Sequence, residues 1–143
     1  MSTLTATPFS LTIGTAVSVR VKAHNSLGYG SWSSTYSSGA TIATIPSTMS
    51  APVIASYSDS SINITWTALS SPSNGDSAIL AYELVWDQGL GGTPATDLSN
   101  TLTTYYVLSG TQISSGNTYQ FAVRARNIYG SATSYSSTTS ATA

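Results

Sequence analysis

One stretch of this chain occurs twice. Residues 15–34 read TAVSVRVKAHNSLGYGSWSS and residues 117–136 read NTYQFAVRARNIYGSATSYS. Both copies alternate apolar and polar residues, continue into A-x-N-x-x-G and end in a serine-rich tail. Alternation with a period of two is typical of β-strands, and Asn and Gly tolerate the positive φ angles of tight turns. The pattern therefore predicts two copies of the same ending in a chain of 143 residues, which has room for only one matching beginning.

The rest of the chain also reads as β-structure. Runs of β-branched and aromatic residues are separated by clusters of Gly, Pro, Asn and Ser, and no window keeps helical spacing for three turns. The strands predicted in the later part lie near 52–57, 61–67, 79–87, 101–107, 118–126 and 133–141, and those in the earlier part lie near 3–7, 16–24 and 34–45.

Strand periodicity assigns the faces of three strands. The predicted core residues are Ile62, Ile64, Trp66, Tyr82, Leu84, Trp86, Tyr119, Phe121, Val123 and Ala125. The predicted outward residues are Asn63, Thr65, Glu83, Val85, Asp87, Arg124 and Arg126. If the second and third of these strands are neighbours, the two acidic residues and the two arginines share one outer face and pair across the strands.

These residues, in the order I62-x-I64-x-W66, Y82-x-L84-x-W86 and I113-S-S-G-N-T-Y119-x-F121-x-V123-x-A125-x-N127-x-x-G130, resemble the fibronectin type III domain. The resemblance implies an all-β, immunoglobulin-like sandwich of seven antiparallel strands, with A, B and E packed on C, C′, F and G. It also implies that Trp66 is the core tryptophan of strand B. Tyr119 would be a tyrosine corner whose hydroxyl bonds back to the turn after Ile113.

The resemblance predicts a tandem repeat in which one domain is nearly complete and the preceding one is represented only by its last strands. Residues 53–143 match a nearly complete domain, 46–52 read as a linker with two prolines, and 1–45 match only strands E, F and G of a preceding domain. Val17 takes the place of the corner tyrosine in the earlier copy. Swapping between identical chains would leave one back half unpaired per chain, so we expect either a fragment of a longer array or a separate polypeptide that supplies the front half.

Composition argues against several functions. Four basic and five acidic residues provide no field for nucleic acid or an anionic membrane. The chain has no cysteine and one histidine, His24, and it lacks calcium-loop and phosphate-loop motifs. Residues 2–14 resemble neither a signal peptide nor a membrane span. We therefore expect no enzyme, no cofactor, no metal site and no direct membrane insertion.

Two recognition features remain. Asn63-Ile64-Thr65 is an N-glycosylation sequon. The loops after the repeated asparagines carry Tyr29 and Trp32 in one copy, and Ile128, Tyr129 and Tyr135 in the other. These side chains are either interaction residues or aromatics folded back over the edge of the sandwich.

The sequence favours a structural or adhesion segment of an extracellular or cell-surface array. Its 50 serines and threonines are suited to a hydrated, O-glycosylated surface. Its expected partners are proteins or neighbouring repeats, including copies of itself, and glycans. The alternative is a spacer or carbohydrate-contacting module of a secreted polysaccharide-degrading enzyme, with Trp32 and Tyr129 as sugar platforms. In either case a signal or anchor is expected outside this segment.

Overall fold

The computed structural model describes residues 2–143 in two compact units. Unit 1 extends to Ala43, and unit 2 comprises Thr44–Ala143. Unit 1 contains one short helix, α1 (Ser2–Thr5), and a two-stranded hairpin of β1 (His24–Asn25) and β2 (Gly28–Tyr29). Isolated bridges join Ala16 to Thr41 and Val19 to Tyr36.

Unit 2 is a sandwich of two antiparallel sheets. One sheet has the order β3 (Val53–Ser58), β4 (Ser61–Thr65) and β7 (Tyr105–Ser109). The other has the order β10 (Thr139–Thr142), β8 (Thr118–Asn127), β5 (Ile79–Trp86) and β6 (Thr96–Thr101), with β9 (Gly130–Ser131) also paired to β8. A 3-10 turn, Gly110–Gln112, follows β7. The predicted sandwich, with its ABE sheet on its CC′FG sheet, is confirmed; the last strand is divided into β9 and β10.

The core lies between the two sheets and follows the predicted alternation. Every predicted core side chain is buried, and the most completely enclosed ones include Ile62, Ile64, Leu84, Phe121 and Val123, all at 0% exposure. Trp66 is 6% exposed and packs edge-on against Tyr82. Because aliphatic and aromatic side chains from both sheets meet here, this cluster provides most of the apolar burial of unit 2.

The segment predicted as a linker packs onto unit 2. Met49 is 5% exposed and belongs to the core cluster, and Pro46 and Pro52 are also buried. The Ser47 N–H donates to the carbonyl of Ser73 at 2.9 Å. Residues 46–52 thus lead into the first strand along the surface of the sandwich.

Two residues that were predicted to be exposed, Val85 in β5 and Asp87 directly after it, are buried. Val85 is 1% exposed and Asp87 is 8% exposed. The register between β5 and β6 shifts at a bulge between Leu84 and Val85. Asp87 follows the end of the strand, and its Oδ1 accepts the N–H groups of Gln120 and Gly89, both at 2.9 Å. Leu84 and Trp86 keep their core positions on either side of Val85, so Val85 still points to the opposite face of the sheet and is buried there. The Asp87 carboxylate is drawn toward backbone donors.

Five predicted strands also differ. The segment near 101–107 contains the end of β6 and the start of β7, and the segment near 133–141 becomes regular only at β10. Residues near 3–7 were predicted as a strand, but Ser2–Thr5 form a helical turn. A strand needs a neighbour to satisfy its backbone groups, whereas a helical turn satisfies some of its own. Near 16–24 and 34–45, unit 1 keeps β1 and the two bridges.

The tyrosine corner implied by the resemblance is present. The Ser114 N–H donates to the Tyr119 hydroxyl oxygen at 2.7 Å, and the Tyr119 ring stacks on Trp86 at 6.0 Å between centroids. Tyr119→Phe is expected to lower the free energy of unfolding by about 1–2 kcal/mol, because it leaves the Ser114 N–H unpaired. Chemical denaturation would measure this loss. Tyr129→Phe, which alters an exposed ring, is the control and should change stability little; equal effects would contradict a structural role for the corner.

Candidate interaction surfaces

The two copies of the repeated sequence form the same hairpin. In each copy the asparagine side-chain oxygen accepts the N–H two residues later, from Leu27 to Asn25 and from Tyr129 to Asn127, both at 2.9 Å. The glycines that close the two turns have φ angles of 129° and 132°. This region of the Ramachandran plot excludes most side chains, which explains why both copies have glycine at this position.

The agreement extends along the hairpin. Ser33 donates its N–H to the Val21 carbonyl at 2.8 Å and accepts the Val21 N–H on its Oγ at 3.1 Å. Ser136 makes the same pair of bonds to Val123, at 2.9 and 3.1 Å, with one more residue between the two partners than in unit 1. The repeated sequence therefore specifies one local structure in both units.

The first interaction surface lies on the unit 1 hairpin. The Lys22 ammonium lies 4.0 Å from the Tyr29 ring centre and 4.7 Å from that of Trp32, and the Arg20 guanidinium lies 5.3 Å from Trp32. The His24 ring also contacts Tyr29, with 4.3 Å between the two ring centres. We call these five residues the aromatic-cation ladder. The structure thus brings the predicted Tyr29 and Trp32 together and adds cations that the sequence analysis had not connected to them.

The ladder remains accessible and positively charged. Tyr29 is 68% exposed and Trp32 is 53% exposed. Every acidic side chain of the protein lies at or beyond position 59, so residues 1–43 contain two cations and no carboxylate side chain. Cation–π contacts stabilise the rings at the surface, but they do not neutralise the charge.

On the corresponding face of unit 2, both arginines are paired with one carboxylate. Glu83 bonds to Arg124 at 2.6 Å and to Arg126 at 3.2 Å, and it accepts the Ser131 hydroxyl at 2.9 Å. The predicted pairing of Glu83 with both arginines is confirmed, whereas Asp87 pairs with neither. Tyr135 is half-buried under Arg124, whose guanidinium lies 4.4 Å from its ring centre. Burial and the charges of Glu83 and Asp97 raise the pKa of Tyr135, although Arg124 acts in the opposite direction.

The Glu83 cluster should make unit 2 sensitive to acid. Burial by itself raises the pKa of Glu83, but hydrogen bonds from Arg124 and Ser131 and the charges of both arginines outweigh burial and lower the pKa below its usual 4.5. A lowered folded-state pKa stabilises the fold above the unfolded-state value, and this stabilisation is lost as pH falls through the folded-state value. Glu83→Gln is expected to cost about 1–2 kcal/mol at pH 7 and much less near pH 3.

Urea unfolding at the two pH values measures this difference. Asp59→Asn is the matched control, since Asp59 forms no ion pair among residues 2–143. A Glu83→Gln cost that stayed constant between pH 7 and pH 3 would contradict the cluster's role.

The remaining predicted residues do not gather into one site. Ile128 is 75% exposed and Tyr129 is 48% exposed at the tip of the unit 2 hairpin, whereas Tyr135 lies under Arg124. Asn63 lies in the central strand β4, half-buried, with its Oδ1 enclosed and unpaired. The use of Asn63 for glycosylation stays a prediction.

No ligand-sized cavity and no metal-binding group of three His, Asp or Glu side chains occurs among residues 2–143. The same part of the chain contains no helix long and apolar enough to cross a membrane. The exposed large side chains of these residues include Tyr29, Trp32 and Tyr129. The predictions of no catalysis and no cofactor stay predictions.

Solved structures share the fold at low sequence identity. Domains A168–A170 of titin match with a TM-score of 0.60 and 23% identity, over 89% of this chain and 40% of the titin chain. The sixth fibronectin type III domain of human fibronectin type III domain containing protein 3 matches with a TM-score of 0.57 and 21% identity, over 73% of this chain and 89% of that one. The twitchin kinase region of C. elegans matches with a TM-score of 0.56 and 21% identity, over 66% and 16%.

This chain therefore spans less than half of the titin and twitchin chains that it resembles. No curated protein matches it in sequence. The family model described as "Fibronectin type III domain" matches residues 46–142, which is most of the chain and includes the whole sandwich of unit 2. The tyrosine corner, the sheet order and this match agree, and the chain belongs to the fibronectin type III domain family.

Proposed function

We propose that this chain is a non-catalytic structural segment of a tandem fibronectin type III array at the cell surface or outside the cell, acting as a spacer and a protein-protein contact module. The observation that carries this proposal is the duplicated hairpin, with the same asparagine turn and the same serine bonds in both units. Two copies of the last strands of the sandwich in one chain are what an array of successive sandwich domains would contain.

The surface chemistry suits such a role. The chain has nine charged residues, and the described surface is rich in hydroxyl groups and exposed tyrosines. The ladder of unit 1 offers cations, while unit 2 carries all five acidic side chains against two arginines. Opposite net charges on successive units favour lateral contacts between copies over capture of one strongly charged ligand.

Two measurements on the native source test the proposal. An antibody against unit 2 is expected to label intact, unpermeabilised cells or their surrounding medium, and to detect a polypeptide well above 14.8 kDa. Labelling that requires permeabilisation would contradict the extracellular location. A native band at 14.8 kDa would contradict the array.

Lateral contact is tested with the purified chain. Sedimentation velocity over a concentration series is expected to show self-association that weakens with Lys22→Gln and with added salt, because exposed charges are screened. Arg126→Gln is the matched control, since Arg126 is already paired with Glu83. Purely monomeric behaviour at millimolar concentration would contradict self-assembly.

The exposed rings also support the second candidate, a carbohydrate-contacting spacer. Trp32 and Tyr29 present large aromatic faces beside cations, and such surfaces stack on sugar rings. Retention of the full chain on insoluble polysaccharide, lost in Trp32→Ala or Tyr129→Ala, would favour this candidate. Unchanged retention in both variants, or no retention at all, would count against it.

A further inference from the structure

Unit 1 exposes side chains whose counterparts in unit 2 form the core. Val19 and Val21 are 51% and 70% exposed. The equivalent residues of the second copy, Phe121 and Val123, are both 0% exposed and pack in a cluster with Ile62, Ile64 and Leu108 from the opposite sheet. The unit 1 hairpin therefore has the apolar face of a sandwich without the facing sheet.

One edge of the same hairpin is unpaired. In unit 2, β5 lies along β8 and places Val85 opposite Ala122 and Glu83 opposite Arg124. The equivalent edge of unit 1, at Arg20 and Lys22, has no paired strand among the residues described. An open edge of this kind accepts an added strand through its free backbone groups.

The charges of unit 1 lack the partner that unit 2 has. Lys22 and His24 occupy the positions of Arg124 and Arg126, which share the Glu83 carboxylate. Unit 1 has no carboxylate side chain to take that role. A strand added along this edge would place its own side chain over Lys22 at the position of Glu83.

Asn25 also has unused donors. The side-chain NH₂ of Asn127 donates to the carbonyls of Thr44 at 2.7 Å and Asn74 at 3.0 Å, which belong to the start of unit 2 and to the loop before β5. Asn25 makes the same turn through its oxygen, but it is exposed and its NH₂ group binds no protein carbonyl in the described part of the chain.

From these four features we infer that the hairpin of residues 15–41 is a docking surface for the front half of a fibronectin type III sandwich. That front half carries a carboxylate opposite Lys22 and offers two backbone carbonyls to Asn25. Its chemistry is that of residues 44–103, with alternating aliphatic and aromatic residues on two strands and an acidic residue, Glu83, at the position opposite the basic side chain of the back half. The docking applies whether the array is extracellular or intracellular, so it does not rest on the proposed location.

The occupant comes from outside residues 1–143. The one front half among residues 2–143 is already engaged, because Ile62 and Ile64 are fully buried against the back half of unit 2. On docking, α1 is expected to unwind so that its residues pair with the second strand of the added front half. The equivalent segment of unit 2, β7, pairs with β4 in this way.

The test extends the full chain at its N-terminus with a second copy of residues 44–103, joined to Ser2. Amide hydrogen exchange at Arg20 and Lys22 is expected to slow by about 100-fold or more relative to the unextended chain, because both amides would enter a paired strand. Residues 3–5, which are helical in the unextended chain, should change to β chemical shifts. The amides of unit 2 serve as an internal control and should keep their exchange rates.

Two variants of the added copy make the result specific. Ile64→Asp in the added copy keeps the added length but destroys its core, and it should abolish the protection. Glu83→Lys in the added copy should reduce protection by about three-fold, and combination with Lys22→Glu should restore it. Unchanged exchange at Arg20 and Lys22 in the extended chain, or equal protection by the Ile64→Asp version, would overturn the inference. Failure of the charge swap to restore protection would overturn the placement of the carboxylate.

Discussion

Replacing Phe121 by alanine is expected to lower the free energy of unfolding of unit 2 by about 3–5 kcal/mol. Phe121 lies in β8, is 0% exposed and belongs to the core cluster between the sheets. Its removal leaves a cavity that neighbours from two sheets cannot fill without moving their strands. Since domains of this size are stable by about 5–15 kcal/mol, the variant should be marginal at room temperature.

The repeat provides a matched control for this experiment. Val19 has the equivalent position in unit 1 and is 51% exposed. Val19→Ala is therefore expected to change the unfolding of unit 2 by less than about 0.5 kcal/mol. Urea unfolding followed by the fluorescence of Trp66 and Trp86 would report both variants, because these tryptophans belong to the unit 2 core. Comparable losses for Phe121→Ala and Val19→Ala would contradict the exposed state of the unit 1 hairpin.

The contrast between these two residues shows what the sequence could predict. Alternation and the resemblance placed Phe121, Trp66 and Leu84 in a core, and all three are buried. The same alternation in unit 1 identifies Val19 as a core residue of a sandwich, but it remains exposed because burial depends on a facing sheet as well as on the strand's own pattern. Local sequence encodes the face of a strand, and tertiary contacts determine whether that face is covered.

Other departures have local causes. Val85 points to the face opposite the core cluster, as alternation predicts, but that face is covered and Val85 is 1% exposed. The extra residue at the register shift between β5 and β6 is Leu98 of β6, so the periodicity of β5 is unchanged. Asp87 turns inward because its Oδ1 accepts two backbone N–H groups, which is a contact set by the chain beyond the strand. Alternation therefore assigns the faces of β5 correctly through Trp86, but it does not predict how completely the face opposite the core is covered.

The candidate surfaces were predictable in part. The repeated A-x-N-x-x-G marked both loops, and Tyr29 and Trp32 were identified as aromatics that follow one of the repeated asparagines, with folding back over the sandwich edge as the alternative. The association of these rings with Lys22 was missed, although one signal was available. Lys22 lies just before the predicted turn, and Tyr29 and Trp32 lie just after it, so a hairpin brings them together. No carboxylate side chain occurs in residues 1–43 to pair with Lys22 instead. Glu83 was identified because its partners lie on an adjacent strand at a matching register.

Asn127 was predicted only as a turn residue, yet its side chain connects three segments of unit 2. It is 2% exposed, accepts the Tyr129 N–H, and donates to the carbonyls of Thr44 and Asn74. Asn127→Ala is expected to lower the free energy of unfolding by about 2–4 kcal/mol, because it removes these bonds and leaves buried groups unpaired. Asn25→Ala is the control, with an expected change below about 0.5 kcal/mol in unit 2.

Asn127→Asp distinguishes the contribution of the side-chain oxygen of Asn127 from that of its NH₂ group. The aspartate keeps an oxygen for the Tyr129 N–H, but it replaces the donor NH₂ with a second oxygen facing two carbonyls. Near neutral pH it should therefore be at least as unstable as Asn127→Ala. Protonation restores one donor, so Asn127→Asp should regain stability relative to Asn127→Ala as the pH falls from 7 to 4. A difference between the two variants that did not change over this pH range would show that the acceptor oxygen alone, and not donation to Thr44 and Asn74, holds the loops together.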